Sequence, residues 1–153
     1  MSLVIALKAE QIHTLDLSPA IAVLEPHLQA ATLPVVSFTI DYPRRPDDPR
    51  ELSEIPEVRL WFLRLDARYP WLPLWLDGAT GELARYTAML VPHQFHRSEG
   101  IQYNPEALEI FVMHKVFVIT DWLQATNRSG QEKVKGLAKL LGYELADEFF
   151  TLL

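Results

Sequence analysis

The chain of 153 residues contains no cysteine, which excludes disulfides, thiolate catalysis and any zinc or iron–sulfur site built on sulfur ligands. Its six glycines are scattered, and neither G-x-x-x-x-G-K-[ST] nor G-x-G-x-x-G occurs, so no backbone cradle for phosphates is expected. A G-x-S-x-G nucleophile elbow is also missing. No run reaches the roughly 18 apolar residues of a membrane-spanning helix. Positive charge is in short supply: 14 Lys and Arg face 20 Asp and Glu, for a net charge of −6. Only Lys133, Lys135 and Lys139 form a weak basic group, which argues against binding nucleic acid or an anionic membrane. The apolar start, Met1 to Leu7, lacks a basic segment and a cleavage site, so it reads as a strand and the expected place is the cytoplasm.

What is present is an ordinary globular composition, 49% hydrophobic and 22% charged. The length suits a single domain over residues 1–153, able to bury about 70% of the surface its unfolded chain exposes. Residues 41–76 stand out, holding six of the eleven prolines and three of the four tryptophans. Between Asp41 and Glu51, Pro43, Pro46 and Pro49 fix their own φ and push Tyr42, Arg45 and Asp48 out of the α region. An extended, stiff segment is expected. Arg44, Arg45 and Arg50 then stand at semi-fixed spacing beside Asp47, Asp48 and Glu51, free to pair with each other or with a partner's charges.

The remaining pattern predicts an α+β domain with a small mixed or antiparallel sheet covered by helices. Ser2–Leu7 reads as a buried strand, and Ser18-Pro19 as a helix start whose run Pro26 should shorten. Val35–Ile40 alternates as a strand with Val36, Phe38 and Ile40 on one face. Ser53 is placed to cap a helix carrying Val58, Trp61, Phe62, Leu65 and Tyr69 on one side, with Arg59, Asp66 and Arg68 off it. Trp71–Leu76 reads as a strand, and Asp77-Gly78-Ala79-Thr80-Gly81 as a turn from which Leu83–Val91 returns as a hairpin, with a helix from Gly81-Glu82 as the rival. Val91–Tyr103 shows no period. Asn104-Pro105 caps the longest helix, apolar nearly all round, and His114 on it is a core or boundary residue. Ser129 starts a further helix that Gly142 stops, and Asp147–Leu153 forms a terminal turn.

Two histidines, His93 and His96, are spaced to approach one another, and Glu99, His114 or Asp121 could supply a third ligand. A small metal-dependent hydrolase using this pair and a carboxylate is therefore the alternative functional class. Two imidazoles do not make a metal site, and the simpler reading is hydrogen-bonding histidines in a loop.

Three blocks carry a resemblance: Ile40-Asp41-Tyr42-Pro43 through Pro46-Asp47-Asp48-Pro49-Arg50-Glu51 to Trp61-Phe62 and on to Tyr69-Pro70-Trp71-Leu72-Pro73; Glu82-Leu83-Ala84-Arg85-Tyr86 through Val91-Pro92-His93-Gln94-Phe95; and Glu99-Gly100-Ile101-Gln102-Tyr103-Asn104-Pro105 through Met113-His114-Lys115. Together they closely resemble the chlororespiratory reduction 6 family of cyanobacteria and chloroplasts. The resemblance implies an assembly factor for the photosynthetic NAD(P)H dehydrogenase-like complex, acting on its peripheral arm. The implied partner is the ferredoxin-like iron–sulfur subunit I. No catalytic residues, cofactor or metal follow from it. A transit peptide is not recognisable, as in a cytoplasmic cyanobacterial member; chloroplast relatives would work in the stroma.

A chain without cysteine acts on an iron–sulfur subunit through protein contacts, not by holding its cluster through thiolates. The expected contact surface is the loop Tyr42, Arg44, Arg45, Asp47, Asp48, Arg50 and Glu51, with His93, Phe95 and Arg97 of the later connector. Arginine and aromatic side chains are the types that anchor such interfaces.

Overall fold

The computed structural model describes residues 2–30, 34–75, 93–98 and 100–152. Strand β1 (Ser2–Lys8) pairs in parallel with β2 (Val35–Asp41), placing Ile5 opposite Phe38 and Leu7 opposite Ile40. Side chains alternate across a strand, so Ile5 and Leu7 enter the core while Val4 stays 52% exposed. The apolar run of β1 thus lies in a one-sided strand and not in one buried on both faces. In β2 the expected period holds: Val36 is buried, Phe38 and Ile40 are half-buried, and Ser37 and Thr39 are exposed.

A parallel pair needs a crossover. Here it comprises α1 (Ala9–His13), α2 (Ser18–Leu24) and a 3₁₀ turn, Glu25–His27. Ser18 is the first helical residue and not the cap; Leu17 holds that position, and the Asp16 carboxylate accepts the Ser18 N–H at 2.9 Å. Pro26, which has no N–H to continue the ladder, coincides with the change from α to 3₁₀ geometry.

A second 3₁₀ turn, Leu52–Glu54, precedes α3 (Pro56–Arg68). Ser53 lies inside that turn, so the helix starts later than its capping chemistry implied, with Ile55 at the N-cap position and Pro56 leading. Val58, Trp61, Phe62 and Leu65 are buried as their spacing predicts, and Phe38 meets Phe62 edge to face at 4.9 Å. Asp66, expected off this face, is buried with them. The segment after Tyr69 is one helical turn, α4 (Leu72–Trp75), and not a strand. Such a short apolar run has no period to separate the two; as a turn it buries both Leu72 and Leu74. The return arm expected at Leu83–Val91 and its rival helix lie outside the described residues.

The stretch without a discernible period contains β3 (His93–His96) and β4 (Gly100–Tyr103), an antiparallel pair with Phe95 opposite Ile101. Next comes α5 (Pro105–Ala125), where the Asn104 carboxamide oxygen accepts the N–H groups of Glu106 and Ala107 at 3.0 and 3.3 Å. Apolar nearly all round, this helix would be expected to lie buried at the centre, but Ile110 is 70% and Phe117 43% exposed, so one side of it faces solvent. Helix α6 (Gln131–Leu140) begins after Gly130 instead of Ser129, and Gly142 at φ +94° ends the run as expected. A final turn, α7, spans Asp147–Thr151.

These elements form two apolar clusters. β1, β2 and α1–α3 build the first around Trp61 and Phe62, and α5 and α6 build the second around Val116, Ile119 and Val134. Trp71 packs against both and stacks on Trp122 with centroids 4.7 Å apart and planes 10° off parallel. The Arg128 guanidinium sits 4.9 Å from the Trp122 ring centroid and donates to the carbonyl of Ala30 at 2.7 Å. The architecture is α+β, with one parallel and one antiparallel strand pair among the described residues.

Candidate functional site

The charged loop after β2 is folded back on itself instead of being extended. The Asp48 N–H donates to the Arg45 carbonyl at 3.0 Å, closing a turn over Pro46 and Asp47. Arg50 then grips Asp48 three ways, through its backbone N–H at 3.0 Å, its Nε at 3.1 Å and its Nη2 at 3.0 Å. Arg44 donates from Nη1 to the Arg50 carbonyl across the same turn. Prolines limit the backbone choices, but these side-chain bonds select the shape. At the loop's root the Tyr42 hydroxyl meets His13 Nε2 of α1 at 3.0 Å, with the two rings edge to face at 5.4 Å.

The electrostatics follow from that geometry. Hydrogen bonds from the Arg50 side chain and N–H hold the Asp48 carboxyl down at about 2, so the brace stays charged through ordinary pH. Arg44, Asp48 and Arg50 are thus structural members of the loop. Arg45, Asp47 and Glu51 are exposed, and their side chains have no hydrogen-bond or ion-pair partner among the described residues. Three charges of both signs therefore stand on a braced frame without a partner among the described residues.

The expected second part of the surface lies elsewhere in the topology. His93, Phe95 and His96 are on β3, which pairs with β4 and not with the β1–β2 sheet. Their side chains fall outside the described residues, while Arg97 in the following turn is exposed. Among the described residues, no three His, Asp or Glu side chains gather as a metal ion would require.

One polar pair escaped the sequence reading. Lys115 of α5 forms an ion pair with Asp66 of α3, their side chains only 6% and 3% exposed, and it also donates to the Pro70 carbonyl at 3.4 Å. The second Asp66 oxygen and the Thr120 hydroxyl are buried without a hydrogen-bond partner among the described residues. Burial pushes the Asp66 carboxyl up to about 6, against the pull of Lys115 and, more weakly, His114. Burial likewise lowers Lys115. Spacing carried the signal for both: Phe62, Asp66 and Tyr69 share one helical stripe, as do Phe111, Lys115 and Ile119. His114, expected at a core boundary, is exposed instead.

Residues 7–152 match the family described as chlororespiratory reduction 6. The chain belongs to the chlororespiratory reduction 6 family. The match extends beyond the blocks that carried the resemblance, which run from Ile40 to Lys115, and it takes in the braced loop, Asp66 and Lys115. No solved structure matches the chain. Among the described residues of this chlororespiratory reduction 6 protein, no helix is long and apolar enough to cross a membrane.

Proposed function

We propose that the chain is a cofactor-free assembly factor of the photosynthetic NAD(P)H dehydrogenase-like complex. It binds the ferredoxin-like iron–sulfur subunit I and shields that subunit's joining surface until the peripheral arm docks. Family membership supports the assembly role. The observation that carries the binding role is the loop braced by Arg44, Asp48 and Arg50, which leaves Arg45, Asp47 and Glu51 presented to solvent. A surface whose shape is held before contact loses less conformational entropy on binding than a mobile one. Arginine in such a setting recognises carboxylates by its planar fork, so the client's matching patch is expected to be mixed in charge. The work is done in the cytoplasm, or in the stroma in chloroplast relatives.

Charge reversal tests the reading. Arg45→Glu with Asp47→Lys preserves the brace, and the double variant should lose most capture of the purified subunit while melting at the wild-type temperature. Undiminished capture would overturn the loop as the binding surface.

A further inference from the structure

The β1–β2 sheet is unusual for a parallel one. Parallel sheets are normally covered on both faces and contain more than two strands. Here Val4, Ala6 and Lys8 of β1 and Val35, Ser37, Thr39 and Asp41 of β2 leave one face open to solvent. Burial is also uneven across the pair. Ile5 and Leu7 are fully buried, whereas their register partners Phe38 and Ile40 are only half-buried. Helices α1 and α2 lie against β1, but the main backbone neighbour of β2 among the described residues is β1 alone.

Among the described residues, the outer edge of β2 is therefore incomplete. Half of a strand's N–H and C=O groups point to each side, and those of β2 facing away from β1 have no hydrogen-bond partner among the described residues. Soluble proteins usually guard such an edge with lysine, proline or a bulge. Between Pro34 and Asp41, which stand at its two ends, the strand reads Val, Val, Ser, Phe, Thr, Ile, with no guard along its length and with strong preference for strand pairing.

We propose that the outer edge of β2 takes up an extended strand of a partner polypeptide, whose alternate apolar side chains cover Phe38 and Ile40. A row of alternating backbone donors and acceptors is matched only by another extended backbone. A second copy of this chain fits less well, because each copy carries a net charge of −6 and like charges oppose the approach. A strand laid along β2 also runs directly to the exposed Arg45, Asp47 and Glu51, which would read the charges flanking it. The inference rests on the client-binding reading and says where the client's backbone docks.

Amide hydrogen exchange of the full chain, alone and with purified iron–sulfur subunit I, tests it. Alternate amides within Val35–Asp41 should slow by about tenfold or more on binding. Ile40→Lys, an inward-pointing charge at the edge, should weaken binding by about tenfold or more, while Ser37→Ala on the open face leaves it unchanged. If Ile40→Lys does not fold, the exchange measurement on the wild-type chain decides alone. Binding with unchanged exchange across β2 overturns the strand inference and leaves the proposed function standing. Absence of binding overturns both. Protection of β2 that grows with protein concentration, without the subunit, assigns the edge to a second copy and also overturns the inference.

Discussion

Lys115 reaches from the second apolar cluster into the first, where its ammonium meets the Asp66 carboxylate beneath the Pro70 carbonyl. Two buried charges so placed hold their register because each is costly without the other. Lys115→Met leaves Asp66 alone and should lower stability by about 3–5 kcal/mol, whereas Asp66→Leu combined with Lys115→Met should restore wild-type stability or exceed it by about 1–4 kcal/mol. Urea unfolding of the three proteins checks both. A double variant as weak as the single would show that the pair contributes more than its dehydration costs.

The same carboxyl sets a pH dependence of known sign. Its folded value, about 6, lies above the ordinary 3.8, so the folded state binds the proton more tightly than the unfolded chain does. The resulting cost is absent below about pH 4, grows as pH rises to 6 and is complete above it. Relative to Asp66→Asn, the wild type should therefore lose about 3 kcal/mol between pH 4 and 6 and nothing further up to pH 8. Glu25, Asp48 and Asp147 are held low by their partners and act in the opposite direction, but they are common to both proteins and cancel. Denaturant midpoints at four pH values would measure the trend, and a flat difference would contradict it.

Within the loop, Arg50→Met removes the side-chain donors that do most to hold Asp48 at about 2, and leaves the N–H of residue 50 in place. A carbon-detected NMR titration should then find that carboxyl raised toward its ordinary 3.8 but still below it. The melting temperature should hardly move, since exposed pairs contribute little to stability. An unshifted titration would mean that another group holds the carboxylate.

Trp71 joins the clusters by stacking on Trp122. Trp71→Ala should cost about 3 kcal/mol, and a double-mutant cycle with Trp122→Ala should return a coupling of about 1 kcal/mol. Additive losses would show that the two rings serve their own clusters independently.

The helices were legible where local chemistry and spacing agreed. Asn104-Pro105, Pro26 and Gly142 each do what their covalent structure demands, and the Val58 to Leu65 stripe is buried as its period predicts. Trp71–Leu76 was misread because proline is tolerated at a strand end and in a first helical turn alike. The β3–β4 pair stayed hidden because arms of four residues are too short to display a period. Asp66 and Lys115 differ in kind: an isolated charge at core spacing names no counterion, and only the fold reveals that each supplies the other's. For the loop, prolines announced stiffness, but the turn depends on Arg44 and Arg50 reaching neighbouring backbone and carboxylate, which composition does not encode.

The described members of the first cluster end at Leu72, long before Lys115 has been translated. On a ribosome adding about 5–20 residues each second, that half can collapse while the cation it will need is still seconds away. Until α5 arrives, the cation that pairs with Asp66 in the finished fold is missing, and burial of the carboxylate is costly. Docking of α5 is thus what lets that group remain ionised in the interior.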